Sequence, residues 1–268
     1  MAVEDPTESR TVNLGILNCD VNQGPIAKGW GQNDEIYARF FEGVAAKFFP
    51  SWQVKVRNYR VCPDSQLPTE DDVKDLDALV LTGSTHDVWE EVDWLPPLFD
   101  FIRKYHSEKR FVGLCFGHQA INQALGGTVG TMGYSENGLE RVHLNATGRK
   151  ILQTSKEGFD IHFLHAAHVS SAAPTLKVLG ASAKCAVQVT YSPGRVLTVQ
   201  GHPEFPPEMA YEYVRYAGEL FGTDQTANLA GMVAEDGSFR PLDRWWIGAK
   251  LLSFCVTGKI VPDLELRE

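Results

Sequence analysis

The 268-residue chain carries 34 acidic and 25 basic side chains, a formal net charge of −9 with a pI near 5.4, which argues against a basic face for nucleic acid or an anionic membrane. Its 43% hydrophobic and 22% charged residues are those of a globular protein with a sizeable core, expected to form one domain over residues 1–268. Five cysteines (Cys19, Cys62, Cys115, Cys185 and Cys255) lack CxxC spacing and exclude a disulfide framework or zinc motif; with the polar start "MAVEDPTESR" and no run of transmembrane length, they predict a reducing, cytoplasmic setting.

Strand-like and helix-like patterns alternate along the chain, which predicts a mostly parallel sheet with helices on both faces. Residues 12–17 read as the first strand and 35–49 as an amphipathic helix. Residues 53–59 alternate with period two, and Ala78–Leu81 is a short buried strand running into "TGSTHD". A helix is predicted over 96–105 and a strand over 111–114. Beyond it the composition shifts toward short strands at 128–132, 141–145, 177–180, 185–191 and 196–199, where mixed or antiparallel pairing is expected. Helices over 207–221 and 242–256 close the pattern, with no repeat or linker to mark a boundary.

Three stretches carry chemistry. In "FVGLCFGHQAINQALGG" (111–127) a strand gives way to a helix at Cys115, bracketed by Gly113 and Gly117. Free cysteines are usually packing residues, but a strand-turn-helix corner with small neighbours is a nucleophile elbow, and the helix dipole there favours a thiolate. In "VLTVQGHPEFPPE" (196–208) a strand ends at His202, Pro203 and Glu204. Residues two apart in extended chain share a side, so Glu204 can orient His202 as base toward a thiol. In "LVLTGSTHDVWEEVDWL" (79–95) the strand ends at Gly83, whose bare N–H, with that of Phe116, is the expected oxyanion hole.

"GLCFGHQ", "GHPEF" and "LTGS", in this order and spacing, resemble class I glutamine amidotransferases, over about residues 10–220. The resemblance implies a flavodoxin-like α/β fold: a mostly parallel open sheet with helices on both faces and a small antiparallel β extension, followed by a C-terminal helical extension over 222–268. "LTGSTHDVWEEVDWL" is closer to the stand-alone γ-glutamyl peptidase-like branch than to synthetase-fused domains. It implies Cys115 as nucleophile, His202 as base and then acid, Glu204 as orienter, and Gly83 with Phe116 as oxyanion donors. Gln119 matches a substrate-holding glutamine, and His165, Ala166 and Ala167 of "FLHAAHV" occupy a substrate-binding stretch in which relatives often carry Gly and Asp at the two alanine positions.

The implied reaction is cysteine-dependent hydrolysis of a γ-glutamyl amide, in glutamine or a glutathione-type peptide, through a thioester, with no cofactor. A glutaminase subunit feeding a separate synthetase, a non-enzymatic relative, or another cysteine hydrolase on the same sheet are the alternatives. The expected partner is a small γ-glutamyl molecule, with no nucleic acid or membrane, and with self-association or a synthetase partner left open. His162, His165 and His168 at spacings of three would fan around a helix rather than converge, and no metal is expected. Trp245 and Trp246 read as packing residues of an apolar helix.

Overall fold

A computed structural model describes residues 8–263; the first seven residues of the polar start, "MAVEDPT", lie outside them. In chain order the elements are β1 (Arg10–Asn18), α1 (Gly24–Trp30), α2 (Asn33–Phe48), β2 (Trp52–Arg60), α3 (Glu70–Asp75), β3 (Ala78–Leu81), α4 (Leu95–Tyr105), β4 (Arg110–Leu114) and α5 (Phe116–Ala124). They continue with β5 (Thr128–Leu144), α6 (Ala146–Ile151), β6 (Gly158–Ser171), β7 (Lys177–Ala181), β8 (Val189–Ser192), β9 (Val196–Val199), α7 (Pro207–Phe221), α8 (Thr226–Gly231) and α9 (Arg244–Thr257).

All nine strands form one sheet in the order β2-β1-β3-β4-β9-β8-β7-β5-β6. The first five are parallel to their neighbours, and the rest join antiparallel. The expected α/β class is the one observed, and its antiparallel side contains the two longest strands, of 17 and 14 residues.

Strand periodicity sorts the core into two layers. In β3, Ala78 and Val80 face one cluster and Leu79 and Leu81 the other; in β4, Val112 and Leu114 are separated in the same way from Phe111. The first layer is closed by α2, which buries Ile36, Tyr37, Phe40, Phe41 and Val44 at helical spacing, and by α9, whose Gly248 lets it settle against Val44 and Phe40. The second is closed by α4 and α5, with Leu98, Ile102, Ala120 and Ile121 inward.

The chief departure from the sequence reading is β6. Residues 162–168 lie on a strand paired to β5 rather than on a helix, with His165 opposite Glu136 and His168 opposite Gly130. The strand signal is present in Phe159, Ile161 and Phe163, which alternate into the first core layer, but the polar histidines after them obscure it. The short helices α1, α3, α6 and α8, none longer than seven residues, also gave no periodic signal.

Candidate active site

Cys115 is the single residue between β4 and α5, and it bears the strain of the corner itself: φ is 53° and ψ −108°. A side-chain-bearing residue reaches that region only when its surroundings force it. The surroundings here are Gly113 and Gly117. A Cβ on Gly113 would stand 2.4 Å from the Gly117 carbonyl oxygen, and one on Gly117 2.5 Å from the Leu81 oxygen. Neither glycine has a positive φ, so the pair is needed for close approach rather than for backbone freedom. The corner turns Cys115 into a cavity of about 260 Å³, with Sγ 3.9 Å from the Leu164 carbonyl oxygen.

β9 delivers His202 and Glu204 to the same cavity. The His202 N–H donates to the His162 carbonyl at 2.8 Å, and its Nδ1 lies 2.8 Å from Glu204 Oε1, both side chains buried. The ring stacks on Phe205 at 4.3 Å between centroids, and Phe205 in turn on Tyr213 at 4.8 Å. Held on one side by the carboxylate and on one face by the aromatic pair, the imidazole leaves its other nitrogen, Nε2, to the Cys115 thiol. Burial by itself pulls His202 down; the negative charges of Cys115 and Glu204 outweigh it and hold the group up at about 10. Thiol, imidazole and carboxylate thus form one coupled unit able to exchange a proton.

The oxyanion expectation meets a complication. A Cβ on Gly83 would stand 3.6 Å from Cys115 Cβ and 3.0 Å from His202 Cε1, so the bare strand end does approach the thiol. Its N–H, however, donates to the buried Tyr37 hydroxyl at 3.0 Å, and that hydroxyl donates to Glu204 Oε1 at 3.2 Å. The Phe116 N–H, in the first turn of α5, engages no acceptor among the described residues.

A second support comes from α9. Arg244 Nε donates to the Pro203 carbonyl at 3.0 Å and its Nη2 to the Glu204 carbonyl at 3.2 Å, while its guanidinium lies over the rings of Trp245 and Phe40. Burial lowers Arg244 to about 10. Burial, the His202 charge and Arg244 lower His162 to about 4, so it stays neutral beside the pair.

Of the residues expected to hold substrate, none lines the cavity. Gln119 donates from Nε2 to the Ala167 carbonyl at 2.9 Å and to Gln200 Oε1 at 3.1 Å, which ties α5 to β6. His165 Nδ1 lies 2.8 Å from the Ala167 oxygen and Nε2 3.0 Å from the buried Glu136 carboxylate. Ala166 is exposed and Ala167 buried. These residues form a scaffold behind Leu164, which does line the cavity. The walls that no motif pointed to include the 20–23 loop, Ile26, Asn33 and the α7 side chains Tyr213, Tyr216, Leu220 and Phe221; Ser84 and Thr85 follow Gly83 at the strand end.

No other cysteine matches Cys115. Cys185 lies with Sγ 3.9 Å from His168 Nδ1, but burial pushes its thiol up to about 11, and burial raises Cys255 to about 12. Among the described residues no three His, Cys, Asp or Glu side chains are grouped to hold a metal ion, and no helix is long and apolar enough to cross a membrane.

The chain is 25% identical over 249 residues to a glutamine amidotransferase-like protein of Schizosaccharomyces pombe, covering 90% of this chain and 98% of that one. Against gamma-glutamyl peptidase 3 of Arabidopsis thaliana the identity is 28% over 158 residues, covering 56% and 64%. A glutamine amido transferase structure from Methylobacillus flagellatus superposes with a TM-score of 0.62 at 16% identity, over 97% of this chain and all of that one, and so shares the fold. The family model for glutamine amidotransferase class-I matches residues 50–214, which span β3, the Cys115 elbow and the His202–Glu204 strand end. The chain therefore belongs to the class-I glutamine amidotransferase family.

Proposed function

We propose that this protein hydrolyses a γ-glutamyl amide bond, in a γ-glutamyl peptide or in glutamine, through a thioester on Cys115. The observation that carries the reading is the buried 2.8 Å pair between His202 and Glu204 opening onto the same cavity as a cysteine on a strained strand-to-helix corner. The Cys115 thiolate attacks the γ-carbonyl carbon, and the electron pair of the C=O bond moves to oxygen. The Phe116 N–H, at the start of α5, receives that oxyanion, and the Gly83 N–H joins it by exchanging the Tyr37 hydroxyl for the substrate oxygen. His202, charged while paired with Glu204 and the thiolate, donates its proton to the departing amine. The neutral imidazole then takes a proton from water, whose oxygen attacks the thioester carbon and releases glutamate and the thiolate.

The likeness to a gamma-glutamyl peptidase supports a peptide substrate, as does the roomy aromatic side of the cavity at Phe205, Tyr213 and Tyr216, where the leaving amine would lie. The reading expects a working enzyme without a synthetase partner. Purified protein incubated with glutathione, other γ-glutamyl dipeptides or glutamine should release glutamate at about 1 s⁻¹ or faster on its best substrate. Cys115→Ala should abolish release while the thermal unfolding midpoint stays near that of the wild type. Equal turnover by Cys115→Ala, or intact substrates throughout until a second protein is added, overturns the proposal.

A further inference from the structure

Tyr37 lies on α2, outside the matched segment 50–214, and its ring belongs to the apolar stripe that anchors that helix to the sheet. As packing alone it needs no hydroxyl. Yet its oxygen, fully enclosed, receives the Gly83 N–H at 3.0 Å and donates to Glu204 Oε1 at 3.2 Å, the same oxygen that holds His202 Nδ1 at 2.8 Å. The other carboxylate oxygen, Oε2, has no partner among the described residues. The carboxylate is therefore held through one oxygen by two donors. Removing either leaves a buried charge with a single bond, and such a charge is expensive.

We propose that Tyr37 is a positioning residue that keeps the Glu204 carboxylate aimed at His202, and that the same hydroxyl ties the oxyanion strand at Gly83 to that carboxylate. The inference rests on the reading of Cys115, His202 and Glu204 as the reacting unit. The groups whose charge bears on this arm are Cys115 and His202 at the site, Tyr37 from α2, His162 from β6, Tyr213 from α7 and Arg244 from α9. Of these Tyr37 alone donates to the carboxylate from outside the pair. Burial and the Glu204 charge raise Tyr37 well above the ordinary tyrosine range, so it remains a donor at every pH at which the protein would work.

The test compares the wild type with Tyr37→Phe through the pH dependence of Cys115 alkylation by iodoacetamide, read at the Cys115 peptide by mass spectrometry, together with kcat and KM for glutamate release. Alkylation needs a thiolate but neither an oxyanion donor nor a particular substrate, so it reports on the His202–Glu204 arm separately from the proposed reaction. Phenylalanine keeps the ring and the packing, so the unfolding midpoint should stay within a few degrees. Without the donor the carboxylate is held by His202 alone and aims less firmly at the imidazole that pairs with the thiolate, so the acid limb of alkylation should move up by about one pH unit, slowing labelling near pH 5 several-fold. kcat should fall with KM little changed. In a Glu204→Gln background, where no carboxylate is left for Tyr37 to aim, the Tyr37→Phe shift should vanish.

Superimposable profiles for wild type and Tyr37→Phe, or a shift of equal size in the Glu204→Gln background, overturn the inference. A shifted profile in a protein that releases glutamate from none of its candidate substrates upholds the role of Tyr37 and sinks the proposed substrate class instead.

Discussion

At the scale of single residues, the site is a balance of two opposed effects on one imidazole. Burial would leave His202 neutral, whereas the charges of Cys115 and Glu204 hold it protonated up to about 10, and the charges win. Its folded value is raised above the ordinary 6.5 or so, so the proposed reaction would find its acid available throughout the neutral range. We therefore expect kcat/KM for glutamate release to hold between pH 7 and 9 and to decline as the pH approaches about 10, the limb belonging to the coupled pair rather than to one group. A decline already complete by pH 7.5 would show that the pair is not charged in the free enzyme. Cys115, His202 and Glu204 were legible in the sequence because each lies in a short local pattern: a thiol between glycines after an apolar run, and His and Glu two apart at a strand end. Tyr37 and Arg244 were not, because their partners lie 167 and 40 residues away and each sits among helical core residues. Gln119 and His165, which the resemblance implies as substrate contacts, stand behind the cavity wall: Gln119 bonds Ala167 of β6 and Gln200, and His165 bonds Ala167 on its own strand and Glu136 on β5, long-range partners that a local pattern does not show.

At the scale of elements, the strands that build the site were read with little error where both faces are apolar. Ala78–Leu81 is buried at every position, and the helix predicted over 207–221 is bounded by Pro207 at its start and by Gly222 in left-handed conformation just past its end. β6 escaped because histidines at 162, 165 and 168 interrupt its alternation, and only pairing with β5 identifies it as a strand. The apolar helix predicted over 242–256 is α9, and packing is not its whole contribution: Arg244, at its first position, bonds the carbonyls of Pro203 and Glu204. Replacing Arg244 with Met keeps the aliphatic stem over the Phe40 and Trp245 rings and removes both donors from carbonyls that lie beside the His202–Glu204 pair. Arg244→Met should lower kcat/KM about tenfold and unfolding free energy by about 1–3 kcal/mol, measured by steady-state kinetics and urea denaturation. Unchanged kinetics in a folded Arg244→Met protein would reduce α9 to a packing element.

At the scale of the whole molecule, the sheet that aligns the site also encloses histidines that must stay neutral. His118 on α5 is fully buried with Nδ1 2.7 Å from Thr198 Oγ1, and burial together with the His165 charge lowers it to about 3. His162, lowered to about 4, sits on the other side of the His202 strand end. Both have folded values below the unfolded value of about 6.5, so between about pH 6.5 and 4 the unfolded chain binds protons that the native protein refuses. Their contribution to stability is complete above about 6.5 and falls away as the pH drops, by about 1.4 kcal/mol per pH unit for each group. His202 acts in the opposite window: its raised value adds stability that is complete below about 6.5 and is lost as the pH rises toward about 10. The two slopes meet near pH 6.5, where urea denaturation should find the protein most stable. Replacing His118 with Gln, which presents an amide to Thr198 and cannot charge, should remove one of the two acid-side contributions. The fall in unfolding free energy between pH 6.5 and 5 should then be smaller in His118→Gln than in the wild type by about 2 kcal/mol. Parallel curves for the two proteins would mean that His118 already takes up a proton inside the folded molecule, and that its bond to Thr198 yields under acid before the core does.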